Sequence, residues 1–144
     1  MAEKIESKVR DYIDALNKKD TEKALSFFTY DATWYAPEGI FKGREEIKRY
    51  ITWMFESLPD MSFADDGIGI IVQGNIVVYQ HTYEATIGGI KIKVPSICVY
   101  EFSGEKCKNH WAYNDRLSLA KQAVTGPIAR KAVNTLINRL EKGL

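Results

Sequence analysis

The hydrophobic pattern of this chain changes its period once, at Met61, and that change decides what it can fold into. Upstream, apolar residues recur every three or four positions. Ile5, Val9, Tyr12, Ile13 and Leu16 form one stripe, and Ile47, Tyr50, Ile51, Met54, Phe55 and Leu58 form another. That spacing gathers side chains on one face of a helix. Between the stripes, Asp20 or Thr21 can cap a short helix carrying Ala24, Leu25 and Phe28. Residues 32–35 read as a short strand closed by Pro37, Glu38 and Gly39, and Pro59 stands just past the second stripe, where helices stop. Downstream the residues alternate. Segments 63–72, 76–86 and 91–102 read as strands, with Gly74-Asn75 as a hairpin turn. Helices first and hairpin-linked strands afterwards specify an α+β fold, with helices covering one side of an antiparallel sheet.

The stretch 94–122 closes the pattern: two strands about a tight Ser103-Gly104 turn, then a switch into helix. Folding the hairpin there pairs Tyr100 with Cys107 and Cys98 with Asn109. The two thiols are then not opposite, and no disulfide is expected. Two cysteines and two distant histidines, His81 and His110, have no metal-ligand spacing, so no metal is expected. In a regular last strand Trp111, Tyr113 and Asp115 share one face. If that face is the inner one, His110 points outward; a bulge near the strand's end would reverse this.

At 144 residues the chain is expected to form one domain: a body over 1–124 and a C-terminal amphipathic helix of the same domain over 125–144. That helix places Ile128, Ala132, Val133, Leu136, Ile137 and Leu140 on one face. Twenty basic and 19 acidic residues are interspersed and leave a net charge of +1, which argues against nucleic acid and membrane as partners. No apolar run approaches the roughly 20 residues that span a bilayer. The charged, periodic N-terminus is unlike a signal peptide, and the expected location is cytoplasmic.

Four stretches resemble one family in order and spacing. They are Thr33-Trp34-Tyr35-Ala36-Pro37 with the following Gly43-Arg44-Glu45, the joint Leu58-Pro59-Asp60, the turn Gly74-Asn75, and the closing hairpin with its Trp111-x-x-x-Asp115 ending. Together they are similar to SnoaL-like, polyketide-cyclase-type members of the nuclear transport factor 2-like superfamily. The resemblance implies a cone-shaped, cystatin-like α+β fold in which a curved antiparallel sheet wraps over N-terminal helices around a pocket, here with an extra C-terminal helix. It also implies an acid/base aspartate near the end of the last strand, and Asp115 matches that position. The family's histidine would fall near Ile87, where this chain has none.

The residues themselves leave two readings of Asp115. A carboxyl desolvated among rings becomes an acid/base near working pH, whereas an aspartate before an apolar helical run is an N-cap. His81 shares a face with Tyr79 and Tyr83 and serves either as a catalytic group or as a buried wall residue. Tyr35 can donate to a substrate oxygen. The candidate catalytic set is therefore Asp115, His81 and Tyr35, with Trp111, Tyr113, Tyr79, Tyr83 and Trp53 lining the pocket; the spacing of Trp53 also suits a core anchor. The leading reading is a pocket protein for a small hydrophobic, oxygen-bearing molecule, such as a cofactor-independent cyclase or isomerase working by proton transfer. The alternatives are a non-catalytic dimeric ligand-binding or scaffold module, and an epoxide hydrolase, which would need an arginine inside the cone. A homodimer is expected.

Overall fold

A computed structural model describes residues 1–144. Helix α1 (Ala2–Asn17) buries Ile5, Val9, Tyr12 and Leu16, and Asp20 caps α2 (Thr21–Ser26) by accepting the Lys23 amide at 3.0 Å. Strand β1 (Phe28–Ala36) turns back through β2 (Gly39–Lys42), and α3 (Gly43–Ser57) follows. Glu46 accepts the Lys42 amide at 2.6 Å and satisfies one of the free donors at the start of α3. A four-strand meander comes next: β3 (Ser62–Gln73), β4 (Ile76–Ile87), β5 (Ile90–Ser103) and β6 (Lys106–Asn114). Helices α4 (Arg116–Ala123) and α5 (Pro127–Leu140) end the chain.

The sheet order is β2-β1-β6-β5-β4-β3. The expected antiparallel sheet is in fact mixed, because β1 runs parallel to β6 while every other pair is antiparallel. Alternation in sequence orients hairpin neighbours, but it says nothing about strands that meet only after the whole meander has formed. The sheet curves without closing. Even-numbered residues of β5, Ile92 to Phe102, face α1 and α3 across one continuous core. The Pro59-Asp60 joint is tied to the end of β4: the Asp60 carboxylate accepts both the Thr86 amide (3.0 Å) and the Thr86 hydroxyl (2.5 Å). No helix is long and apolar enough to cross a membrane.

The last hairpin differs from its reading in register. Ser103 pairs with Lys106, so the turn sits one residue later, at Gly104-Glu105. Phe102 then pairs with Cys107 but Glu101 pairs with Asn109, so Lys108 is an extra residue on β6. Moving the turn shifts partners by two and preserves faces. The bulge shifts them by one and exchanges faces.

Candidate functional site

The concave side of the sheet and the helices above it form a cavity lined by 19 residues, 14 of them hydrophobic. Strand β4 contributes Tyr79, His81 and Tyr83 at the spacing of two that puts them on one face, and β6 contributes His110, Ala112 and Asn114. Trp34 of β1 and Cys98 and Tyr100 of β5 complete the sheet wall. Tyr50, Trp53 and Met54 of α3 and Ile13 and Leu16 of α1 form the roof. The mostly apolar lining with a few polar groups suits a small organic ligand.

The polar groups are few. Glu38, in the β1–β2 turn, is the one carboxylate in the lining, and the Tyr50 hydroxyl donates to its Oε2 at 2.6 Å. Burial, and then the Glu38 charge, hold the Tyr50 phenol far above its ordinary range, and burial pushes Tyr83 up to about 12. Both therefore stay protonated and act as donors. The His81 ring stacks on Tyr79 at 4.4 Å with Phe63 edge-on at 5.1 Å. Burial drives its pKa down to about 4, so it is neutral at pH 7. His110 lies between Trp34 (4.3 Å) and Tyr100 (4.5 Å), and burial again lowers its pKa well below the usual value. Neither ring nitrogen of His110 has a hydrogen-bond partner in the protein, nor does Trp34 Nε1. Two partnerless buried polar rings side by side are costly in a plain core and call for an explanation. Ser96 Oγ donates to Asn114 Oδ1 at 2.8 Å and fixes that amide on the cavity wall.

Of the residues singled out in the sequence, His81, Tyr79, Tyr83 and Trp53 line this cavity. Asp115, Tyr35, Trp111 and Tyr113 do not. Trp111 and Tyr113 do share a face, but the bulge at Lys108 makes it the outer one and His110 takes the inner position, while Asp115 lies past the end of β6. Tyr35 stacks on Trp111 at 5.4 Å on that outer face. Successive strand pairs extend the contact into an apolar row, Ile40–Tyr35–Trp111–Val99–Val78–Ile71, across all six strands. Asp115 is exposed and caps α4, its Oδ1 accepting the Ser118 amide at 2.8 Å. Replacing it with alanine should lower the unfolding free energy in urea by about 1 kcal/mol, with asparagine largely restoring it. A pH-dependent ligand affinity that disappeared in Asp115→Asn would contradict the capping role.

The sequence reading missed Glu38, His110 and Asn114. Glu38 was hidden because Pro37-Glu38-Gly39 reads as a strand stop, while β2 is too short to signal the hairpin that turns the carboxylate inward. The other two follow from the bulge. No arginine is in the lining, so the arrangement considered for epoxide opening has no counterpart there.

Residues 9–110 match the family model described as a SnoaL-like domain, and the chain belongs to that family. No curated protein sequence matches it. Among solved structures it is similar to an NTF2-like protein of unknown function from Burkholderia pseudomallei, with 18% identity and TM-score 0.76 over 85% of this chain and 98% of that one. It is also similar to a putative SnoaL-like polyketide cyclase from Jannaschia, with 14% identity and TM-score 0.75 over 88% and 95%. TerC co-crystallized with polyporic acid matches at 20% identity and TM-score 0.74 over 83% and 98%. These likenesses establish an NTF2-like, ketosteroid isomerase-like fold.

Proposed function

We propose that this SnoaL-like protein binds a small, largely apolar, oxygen-bearing molecule in its cone and moves a proton on it, as a cyclase or isomerase of a hydrophobic carbonyl compound. Glu38 carries the reading: the one carboxylate in a mostly aromatic and aliphatic cavity, held by the Tyr50 hydroxyl at 2.6 Å and faced from outside by Arg116 at 3.9 Å. A carbon next to a carbonyl gives its proton to Glu38, and charge builds on the carbonyl oxygen. The Tyr83 phenol and the N–H groups of neutral His81, neutral His110 and Trp34 are the donors available to that oxygen. Return of the proton to a different carbon completes an isomerisation. Attack of the enolate carbon on a second carbonyl of the same molecule forms a ring, and protonated Glu38 returns its proton to the new alkoxide. Both sequences balance without electron transfer, so a base and donors suffice. The relatives named as a putative polyketide cyclase and as co-crystallized with polyporic acid support a ring-bearing oxygenated ligand.

2-Tetralone in D₂O tests this by exchange of its α-protons, followed by NMR. The wild type should exchange them faster than buffer, and Glu38→Gln should lose at least about 10²-fold of that rate while still binding the ketone. Binding without exchange above the buffer rate in the wild type would overturn the catalytic reading and leave a ligand-binding module.

A further inference from the structure

The cavity does not end at its mouth. A second, shallower groove lies outside it, between β2 and α3, and shares three residues with it: Glu38, Tyr50 and Trp53. The groove adds Phe41 and Arg49. Its rings form a stack of nearly parallel planes. Phe41 stacks on Tyr50 at 4.2 Å with 14° between planes, and Tyr50 stacks on Trp53 at 5.7 Å and 15°. Trp53 is 46% exposed, which is unusual for the largest apolar side chain unless something else covers it. At the far end the Arg49 guanidinium stands over the Phe41 ring, 5.9 Å from its centroid. Arg49 forms no ion pair, while its neighbours on α3, Arg44 and Lys48, both turn to Glu22.

We infer that this groove is an outer extension of the ligand site, taking a second planar segment of the same ligand that ends in an anionic group such as a carboxylate. The inference rests on the cavity being a binding site and needs no catalysis. Because Glu38, Tyr50 and Trp53 line both spaces, one molecule can span them, and the aromatic lining suits a planar group. The charges set its direction. Glu38 at the junction is an acid already faced by Arg116 at 3.9 Å and offers an anion nothing, whereas Arg49 beyond Phe41 is a planar cation free to hold a carboxylate with two parallel hydrogen bonds. Of the acids around Arg49, Glu46 is engaged by the Lys42 amide, and Glu45 and Glu56 share a neighbouring groove with Arg49 without forming an ion pair to it. The ligand so described is elongated: a neutral, oxygenated ring system inside, and a planar arm with a negative end outside.

Three probes separate the parts by calorimetry: 2-naphthol, 6-phenyl-2-naphthol and 4-(6-hydroxy-2-naphthyl)benzoate. Each addition should tighten binding, the phenyl ring by about tenfold and the carboxylate by a further three- to tenfold that fades as salt is raised. Phe41→Leu should abolish most of the phenyl gain, and Arg49→Gln only the carboxylate gain, both leaving 2-naphthol within twofold. Should Phe41→Leu fail to fold, the exposed Arg49→Gln variant still decides the anionic end. Equal affinity for all three probes, or substitutions that weaken all three alike, would overturn the extension while leaving the inner site standing. If 2-naphthol itself does not bind, the cavity reading falls and takes the extension with it.

Discussion

Lowering the pH from 7 to 5 is expected to destabilise this protein by at least roughly 2 kcal/mol, well before its carboxylates protonate. The source is the pair of buried histidines. His81 is 2% exposed, and burial lowers its pKa to about 4, whereas an unfolded histidine titrates near 6.5. Between those values the unfolded chain binds a proton that the folded chain refuses. The unfolded state therefore holds more protons, and stability rises with pH across the window. In the other direction, stability is complete above about pH 6.5 and is lost as pH falls toward 4, at about 1.4 kcal/mol per unit for each such histidine. His110 is displaced the same way by burial, and adds to the loss. The carboxylates that hydrogen bonds and charges depress, Asp14, Glu22, Asp60 and Glu105, act only at lower pH, because their contribution persists until pH falls below the ordinary carboxylate range. Urea unfolding at half-unit steps from pH 7.5 to 4.5 checks this. His81→Phe, which keeps a ring against Tyr79, should flatten the slope by one proton, and a wild-type curve flat between pH 6.5 and 5 would refute it. The same burial makes both histidines neutral hydrogen-bonding groups at pH 7, which is how the proposed chemistry uses them.

Much of the architecture was legible from period alone, and the parts that were not depend on more than local turns and alternation. Residues that meet their partners through a local turn can be read, because turn and alternation are both written in the chain. Tyr79, His81 and Tyr83 are of this kind: β4 is regular from Ile76 to Ile87, so a shared face was a safe inference. Trp111 and Tyr113 do share a face, yet on the other side of the sheet, because their orientation depends on one unpaired residue, Lys108, and Asp115 falls past the strand's end. Nothing about a lysine between Cys107 and Asn109 announces a bulge. What could have given warning was the apolar pattern itself, since placing Cys107 inward by regular alternation forces His110 outward, whereas a partner for Tyr100 and Trp34 was needed inside. Glu38 was missed for a different reason. A carboxylate after a proline is ordinary turn chemistry, and only the long-range approach of α3, which brings Tyr50 over it, makes it part of the site.

The largest single-residue loss should come from α3 at Ile51, and comparison with Met54, one turn along, shows why the cavity lies where it does. Ile51 is fully buried beside Ile47 and anchors the helix on the core, whereas Met54 lines the cavity. Truncating Ile51 to alanine removes its transfer energy and leaves a closed void among rigid neighbours, so about 3–4 kcal/mol should be lost. Met54→Ala removes a side chain of similar size, but the space it vacates joins a cavity that already opens to solvent. Little new enclosed void is created, and the loss should be nearer about 1–2 kcal/mol. The two substitutions also part in function. Widening the roof at Met54 should admit a bulkier inner ring system, read as tighter binding of 6-tert-butyl-2-naphthol relative to 2-naphthol, whereas Ile51→Ala should leave that ratio unchanged. Equal stability losses, or an altered ratio in Ile51→Ala, would mean that the roof is not divided between anchor and lining as the packing indicates. The division is physically required if the cone is to hold a ligand. One face of α3 must be fixed to the sheet by side chains with no freedom, so that the adjacent positions can leave space unfilled without the helix collapsing into it.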